Sequence, residues 1–440
     1  MIDRSHAQDI CAKVLGFVTE GQAEVSISGA DHALTRIANS AIHQNVDVSN
    51  VTVSLRIDHH RKSGRATTNA LDEASLQRLC RDALAAAQSL GAEQELPPMM
   101  GPQTYREIPG LDPSTVRVDP MARAEMVERA VAVAQPGGAL LAGIVANTCS
   151  TQAMANSSGL FSYHAQSWIE MEITAMAAGM AGRASDRSRG IGGVDPAAIA
   201  KIAVDKCLGG KNPRALDPGT YTVILEPEAA STPLGFMAWL AFGAQDVQEG
   251  ISCFSGRIGQ RLFGTNVTIA DDAYHPLLTY AVPFDGEGAP RQRVLIVDCG
   301  VAVTPVYDQK TAAKDGVRTT GHGFPQPNTY GPMPQNITME GGTTTIDKMI
   351  AATGRGILVT RFWYNRVVDR KVPVITGMTR DGTFLIEGGK IACGVKNMRY
   401  NQDLVEFFNN IEMLGPQRNQ HSDAVPPLAV RGFHFTGRTE

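Results

Sequence analysis

The seven cysteines, at positions 11, 80, 149, 207, 253, 299 and 393, are too few and too scattered to staple a chain of 440 residues. Their number is odd and none forms a Cys-x-x-Cys pair, so neither a disulfide framework nor a zinc-finger spacing is supported. They read as reduced, mostly buried thiols. No run of about 18 apolar residues is present to cross a bilayer. The opening MIDRSHAQDI has none of the apolar character of a signal peptide, which points to the cytoplasm. Like charges never gather into blocks of five, and the formal net charge is only -4, so nucleic acid and anionic membrane have no electrostatic footprint. Several compact catalytic signatures are also missing. There is no Gly-x-Ser-x-Gly elbow, no P-loop, no dinucleotide Gly-x-Gly-x-x-Gly after a strand and no His-Glu-x-x-His.

What is present is ample core material: 43% of the residues are apolar and 19% charged, as in a compact folded chain of two or three domains. Residues 23–69 alternate apolar and polar positions (AEVSIS, NVDVS, VTVSLRI), the pattern of amphipathic strands. Leu71 to Leu90 switches to helical spacing and stops at Gly91, a C-cap residue. The Pro- and Gly-rich stretch 93–113 reads as a linker or covering loop. A helix over Pro120–Ala134, strands over 140–156 and 168–180, and a helix over Pro196–Leu208 follow. Strands-then-helix order thus occurs twice, at 23–91 and 137–208, without matching residue identities. From Leu216 onward, short strands separated by Gly-rich turns dominate; RVLIVDCGVAVTPVY, RGILVTRFWYNRVV and TFLIEGGKIACGV are the clearest, with a hairpin turn at 387–389. The expected fold is α+β: an N-terminal α+β domain over 1–215 and a mainly β domain over 216–440.

Three polar sets are candidates for chemistry. His59 and His60 adjoin at a strand end, where alternation should send their side chains to opposite faces, away from a shared metal. Asp271 and Asp272, with Asp285 and Glu287, offer carboxylate oxygens for a hard cation, although acidic residues in turns commonly cap backbone amides. Cys299, His322 and Cys393 are nitrogen and sulfur donors suited to zinc if folding unites them, while buried Cys is otherwise core.

In the C-terminal half four ordered segments resemble the TldD/PmbA family. The run TIADDAYHPLLTYAVPFDGEGAPRQRVLIVDCGV resembles its acidic pair, spacer, Phe-Asp-x-Glu-Gly turn and strand. KDGVRTTGHG resembles its Ser-Thr-Gly-Asn-Gly element, PMPQNITMEGGTTTIDKMIAATGRGILVTR its Asn-x5-Gly, helix and Gly-Ile-Leu-Val segment, and TRDGTFLIEGGKI a closing strand-turn-strand. Peptidase members of that family carry His-Glu-x-x-x-His on the helix after the strand that YTVILEP resembles, and a further zinc-ligating Cys near the end. Here the helix reads STPLGFMAWLAFGAQDV, with Thr232 as cap and Pro233 in its first turn. Its Leu234, Phe236, Met237, Trp239, Leu240 and Phe242 are apolar nearly all round, as in a buried helix. No His lies between His164 and His275, and no Cys follows Cys393.

This departure resembles the PmbA/TldE branch, which lacks the metal site. The resemblance implies a subunit with no cofactor of its own. It would form a heterodimer with a TldD-like His-Glu-x-x-x-His chain that holds zinc, and the pair would cleave unstructured peptides or mature peptide natural products. Two other readings stay open: a free-standing peptidase or amide hydrolase using other residues, and a peptide-binding scaffold. The turns Phe284–Gly288 and Thr320–Gly323 are expected to shape the substrate cavity, with Asp285, Glu287 and His322 as its polar groups. No catalytic residue stands out.

Overall fold

The computed structural model describes residues 1–89, 91 and 96–438. Helix α1 (Arg4–Phe17), capped by the Asp3 carboxylate, leads into β1 (Gln22–Ala38), β2 (Ala41–His59), β3 (Lys62–Thr68) and α2 (Glu73–Ser89). The short α3 (Pro113–Val116) precedes a second set: α4 (Pro120–Ala134), β4 (Leu140–Asn156), β5 (Phe161–Ala177), β6 (Met180–Ser188) and α5 (Pro196–Gly209). Both halves therefore also open on a helix. In α1 the buried Ala7, Ile10, Cys11 and Val14 follow the i, i+3, i+4, i+7 spacing of an amphipathic helix, so this helix was legible in the sequence. The expected stop of α2 at Leu90 lies outside the described residues, and the helix is described to Ser89.

All six strands form one antiparallel sheet in the order β3-β2-β1-β4-β5-β6, so the two halves join through the β1–β4 pair. Strict alternation gives the sheet two chemically different faces. Odd-numbered Val25, Ile27, Ala153 and Ala155 pack with α1 and α2 at one end of the long strands. Odd-numbered Leu141, Val145, Ile169, Met171 and Ile173 pack with α4 and α5 at the other. The even-numbered face is polar and turns toward the C-terminal half: Gln152 Nε2 donates to the Tyr280 hydroxyl (3.0 Å), and Gln166 Oε1 accepts from the Ala281 amide (3.2 Å). The covering segment is pinned at Met99 and Ile108, which are buried, and by the Tyr105 hydroxyl on the Gly288 carbonyl.

The C-terminal half is mainly β. Its strands are β7 (Gly219–Leu225), β8 (Ile269–Asp271), β9 (Val294–Asp298), β10 (Val301–Ala302), β11 (Ile337–Met339), β12 (Arg355–Asp369), β13 (Val374–Glu387), β14 (Lys390–Gly394), β15 (Met398–Asp403), β16 (Ile411–Leu414), β17 (Arg418–Gln420), β18 (Asp423–Val425) and β19 (Leu428–Arg438). Strands β12, β7, β19, β15 and β13 pair in sequence, and β12 pairs back onto β13, closing a five-stranded barrel. Phe362, Tyr400, Phe433, Val223 and Ile357 belong to the large buried cluster of this half. Gly388 and Gly389, at φ +56° and +76°, make the two-residue β13–β14 turn, a conformation that glycine adopts without strain. Beside the barrel, β10-β9-β8-β11-β18-β17 form a second sheet, which carries the turns discussed below.

Helix α6 departs from expectation. It runs Pro227–Ala241, with Glu226 at its N-cap and Pro227 in its first turn, so Thr232 is no cap and Pro233 lies inside the helix. Glu226 is extended and its amide donates to the Val359 carbonyl, which fixes the start directly after β7. Nor is α6 buried all round: Leu234, Met237 and Leu240 face the core, but Trp239 is 46% exposed. Among the described residues no helix is long and apolar enough to cross a membrane.

Candidate functional site

Where the polar face of the N-terminal sheet meets the second C-terminal sheet there is a cavity of about 350 Å³. Ser26, Ser28 and Gln152 line one side; Phe284, Asp285 and Gly323 line the other. The two Gly-bearing turns are thus brought together, and their own chemistry explains why. Asp285 Oδ1 accepts from the Glu287 and Ala289 amides (2.9 and 2.8 Å), closing its turn. Its Oδ2 accepts from the Gly323 amide (2.7 Å), stapling that turn to the second. A Cβ on Gly323 would stand 2.5 Å from Glu287 Oε2, so only glycine fits this approach.

Glu287 and His322 lie behind this wall. Glu287 is buried and accepts from Gln309 N (2.9 Å) and Gln326 Nε2 (2.8 Å). Burial raises the pKa values of both Asp285 and Glu287, and the Asp285 charge raises that of Glu287 further. His322 is fully buried. Its Nδ1 shares a hydrogen bond with Thr320 Oγ1 (2.9 Å), and its Nε2 lies 2.9 Å from Asp271 Oδ1 without the alignment of a directed hydrogen bond. Burial and the neighbouring Arg291 depress its pKa.

Asp271 is the hub of this layer. It accepts from Arg291 Nη2 (2.6 Å) and from the Gln335 and Asn336 amides (2.6 and 2.7 Å). Burial works against its charge, but Arg291, His322 and these donors hold its pKa well below the usual carboxylate range. Asp423, which sequence patterning did not single out, accepts from Ile337 N (2.9 Å), and burial pushes its pKa up to about 7.

A second polar cluster surrounds the start of α6. Glu228 pairs with Arg183 of β6 (3.0 Å), which also holds Glu172 of β5 (2.9 Å); Arg187 bridges Glu170 and Glu172 (2.7 and 2.9 Å). Lys206 binds Glu226 (2.6 Å), and Arg361 Nε binds Asp381 (2.9 Å). The pairs within β5–β6 and β12–β13 are made inside hairpins, whereas Arg183–Glu228 and Lys206–Glu226 tie the N-terminal half to the start of α6.

None of the sequence-proposed metal sets is assembled. Among the described residues no group of three or more His, Cys, Asp or Glu side chains is placed to hold a metal ion. Asp271 is spent on Arg291 and Asp285 on backbone amides, so the four carboxylates form no cation site. Cys299 is exposed, His322 is sealed and Cys393 lies on β14, so they do not form a zinc site. His59 and His60 differ from expectation: His60 opens the turn at φ +51°, which swings the two rings together, 4.1 Å apart and edge to face. His59 faces Glu20 (3.3 Å).

Residues 218–437 match the family model for the PmbA/TldA metallopeptidase C-terminal domain, and residues 115–209 the model for its central domain. The chain belongs to the PmbA/TldD family. It is 36% identical over 100 residues to an uncharacterized protein of Methanocaldococcus jannaschii, covering 23% of this chain and 24% of that one. It is 27% identical over 173 residues to a metalloprotease TldD homolog of Buchnera aphidicola, covering 38% of this chain and 35% of that one. The matched stretches thus span about a quarter to a third of the length of these two relatives. The fold is that of TldE from Thermococcus kodakarensis, with TM-score 0.85 at 17% identity over 98% of this chain and 99% of that one. The family's descriptions imply a metal, but the residues of this chain do not fit one at α6, which holds neither His nor Cys.

Proposed function

We propose that this chain is a PmbA/TldE-type subunit with no zinc site of its own. It pairs with a TldD-like His-Glu-x-x-x-His homologue that holds the zinc, and the heterodimer acts in the cytoplasm on unstructured peptides or on peptide natural products undergoing maturation. The observation that carries this reading is the chemistry of α6. Where peptidase relatives place their ligands, this helix offers Pro227, Ala229, Ala230, Ser231 and Thr232, and its acidic residues Glu226 and Glu228 are already tied to Lys206 and Arg183. A zinc-bound water needs about three protein ligands, and none stands here. The domain division at 215/216 belongs to the same proposal, supported by the fact that the three sheets are each built from one side of that point. So does the cavity between the halves, with Asp285 in its wall and Glu287 and His322 behind it.

The test is metal analysis and peptide cleavage on the purified chain, alone and co-expressed with its His-Glu-x-x-x-His homologue. The expected result is no stoichiometric zinc and no turnover alone, with chelator-sensitive cleavage by the co-purified pair. Chelator-insensitive cleavage by the single chain, or one zinc retained per chain on dialysis, would overturn the reading.

A further inference from the structure

A groove of about 700 Å³ lies on the outside of the barrel, between the β5–β6 turn and β13. Three thioether side chains, Met176, Met180 and Met378, supply its apolar walls, and Arg380, Lys396 and Thr383 its polar groups. Its position follows from the strand pairing. β13 pairs with β15 over Val374–Met378 and with β14 over Phe384–Glu387, which leaves residues 379–383 between the two partners. A bulge there puts Asp381 at φ +55° and Gly382 at φ +132°.

The charges in this groove are unbalanced. Asp381 is the acidic residue lining it, and its carboxylate is held by Arg361. Arg380 Nε is left 3.8 Å from the other Asp381 oxygen, and the Lys396 ammonium has no hydrogen-bond or ion-pair partner among the described residues. Thr383, 1% exposed, keeps a hydroxyl without a hydrogen-bond partner.

At the rim stands Trp363, directly across the β12–β13 pair from Met378, with the Arg380 guanidinium 5.0 Å from its ring centre. Trp363 is 44% exposed, and Tyr364 beside it 58%. Tyr364 sits at φ +57°, a left-handed conformation that strains a bulky L-residue. Exposed aromatic and arginine side chains beside flexible Met walls are the composition of surfaces that anchor polypeptide.

We propose that this groove docks an extended polypeptide segment in which carboxylate side chains alternate with apolar ones. The carboxylates face Arg380 and Lys396, the apolar side chains enter among the three methionines, and Trp363 covers one end. The proposal does not rest on the subunit reading above, because it needs neither zinc nor a partner.

The probe is a short fluorescein-labelled peptide alternating Leu and Glu, followed by anisotropy on the full-length chain. The expected result is saturable binding that weakens about tenfold in Arg380→Glu and in Lys396→Glu, which corresponds to about 1.4 kcal/mol each. Trp363→Ala should weaken it comparably, with thermal midpoints unchanged. If a variant misfolds, the salt dependence of wild-type binding replaces it: affinity must fall as ionic strength rises. Absence of binding, equal binding of the Leu-Lys peptide, competition by a single-stranded oligothymidylate, or charge-reversed variants that bind as well as wild type would each overturn the proposal.

Discussion

Replacing Asp285 should do more damage than removing a surface carboxylate, and the size of the effect follows from its bonds. Three backbone amides, those of Glu287, Ala289 and Gly323, donate to a side chain only 4% exposed. Asp285→Ala leaves all three without acceptors in a region that admits little water. At about 1–3 kcal/mol per orphaned buried donor, less what a trapped water recovers, the loss is about 3–5 kcal/mol. At about 2–4 °C per kcal/mol for 150–250 residues, that corresponds to a fall of about 6–20 °C in the midpoint. Asp285→Asn separates the two jobs of the residue. The amide oxygen still accepts from Glu287 and Ala289, but its NH₂ meets the Gly323 amide donor to donor, so the turn survives and the staple to the second turn opens. The Asn variant should therefore fall between wild type and Ala, with faster hydrogen exchange confined to residues 320–323 and the opposing turn. Thermal unfolding and amide exchange on the purified chain measure both. Equal midpoints for wild type and Asp285→Ala, or indistinguishable Asn and Ala variants, would refute this account of the paired turns.

Asp423 should make the protein less stable as pH rises. Its native pKa of about 7 lies above the unfolded value of about 3.9, so its stabilising contribution is present at low pH and is lost between about pH 4 and 7. Asp423→Asn should flatten that slope in urea unfolding at several pH values, and an unchanged slope would sink the argument. Arg183→Met strips one cation from the partly exposed Glu172 and Glu228 and should cost about 1–3 kcal/mol. A double-mutant cycle with Glu228→Gln should show coupling above about 0.5 kcal/mol, whereas additive losses would mean that the pair does not tie β6 to α6.

Period-two patterning announced β1 to β4 and the second half of β5, but the strand expected over 168–180 runs across the β5–β6 turn and β6 itself carried no such signal; Pro120 and Pro196 marked their helix starts to the residue, because those signals are local to the chain. The family segments were equally local: the Phe-Asp-x-Glu-Gly and Thr-Thr-Gly-His-Gly runs are legible as strings, and so is the absence of His and Cys along the α6 region. The start of α6 was not legible, because Pro233 imitates a first turn and only the placement of Glu226 at the end of β7 shows that the helix begins at Pro227. Nor could alternation foresee that His60 would enter a left-handed turn and bring its ring onto His59. The sequence by itself determined most of the strands, helices and glycine turns, because backbone preference and side-chain period act over a few residues. Tertiary structure alone decided which distant polar groups meet. Asp271 finds Arg291 and His322, Asp285 finds Gly323, and Glu228 finds Arg183 only when the barrel and sheets close, because electrostatic partners are chosen by position in space and not by separation along the chain.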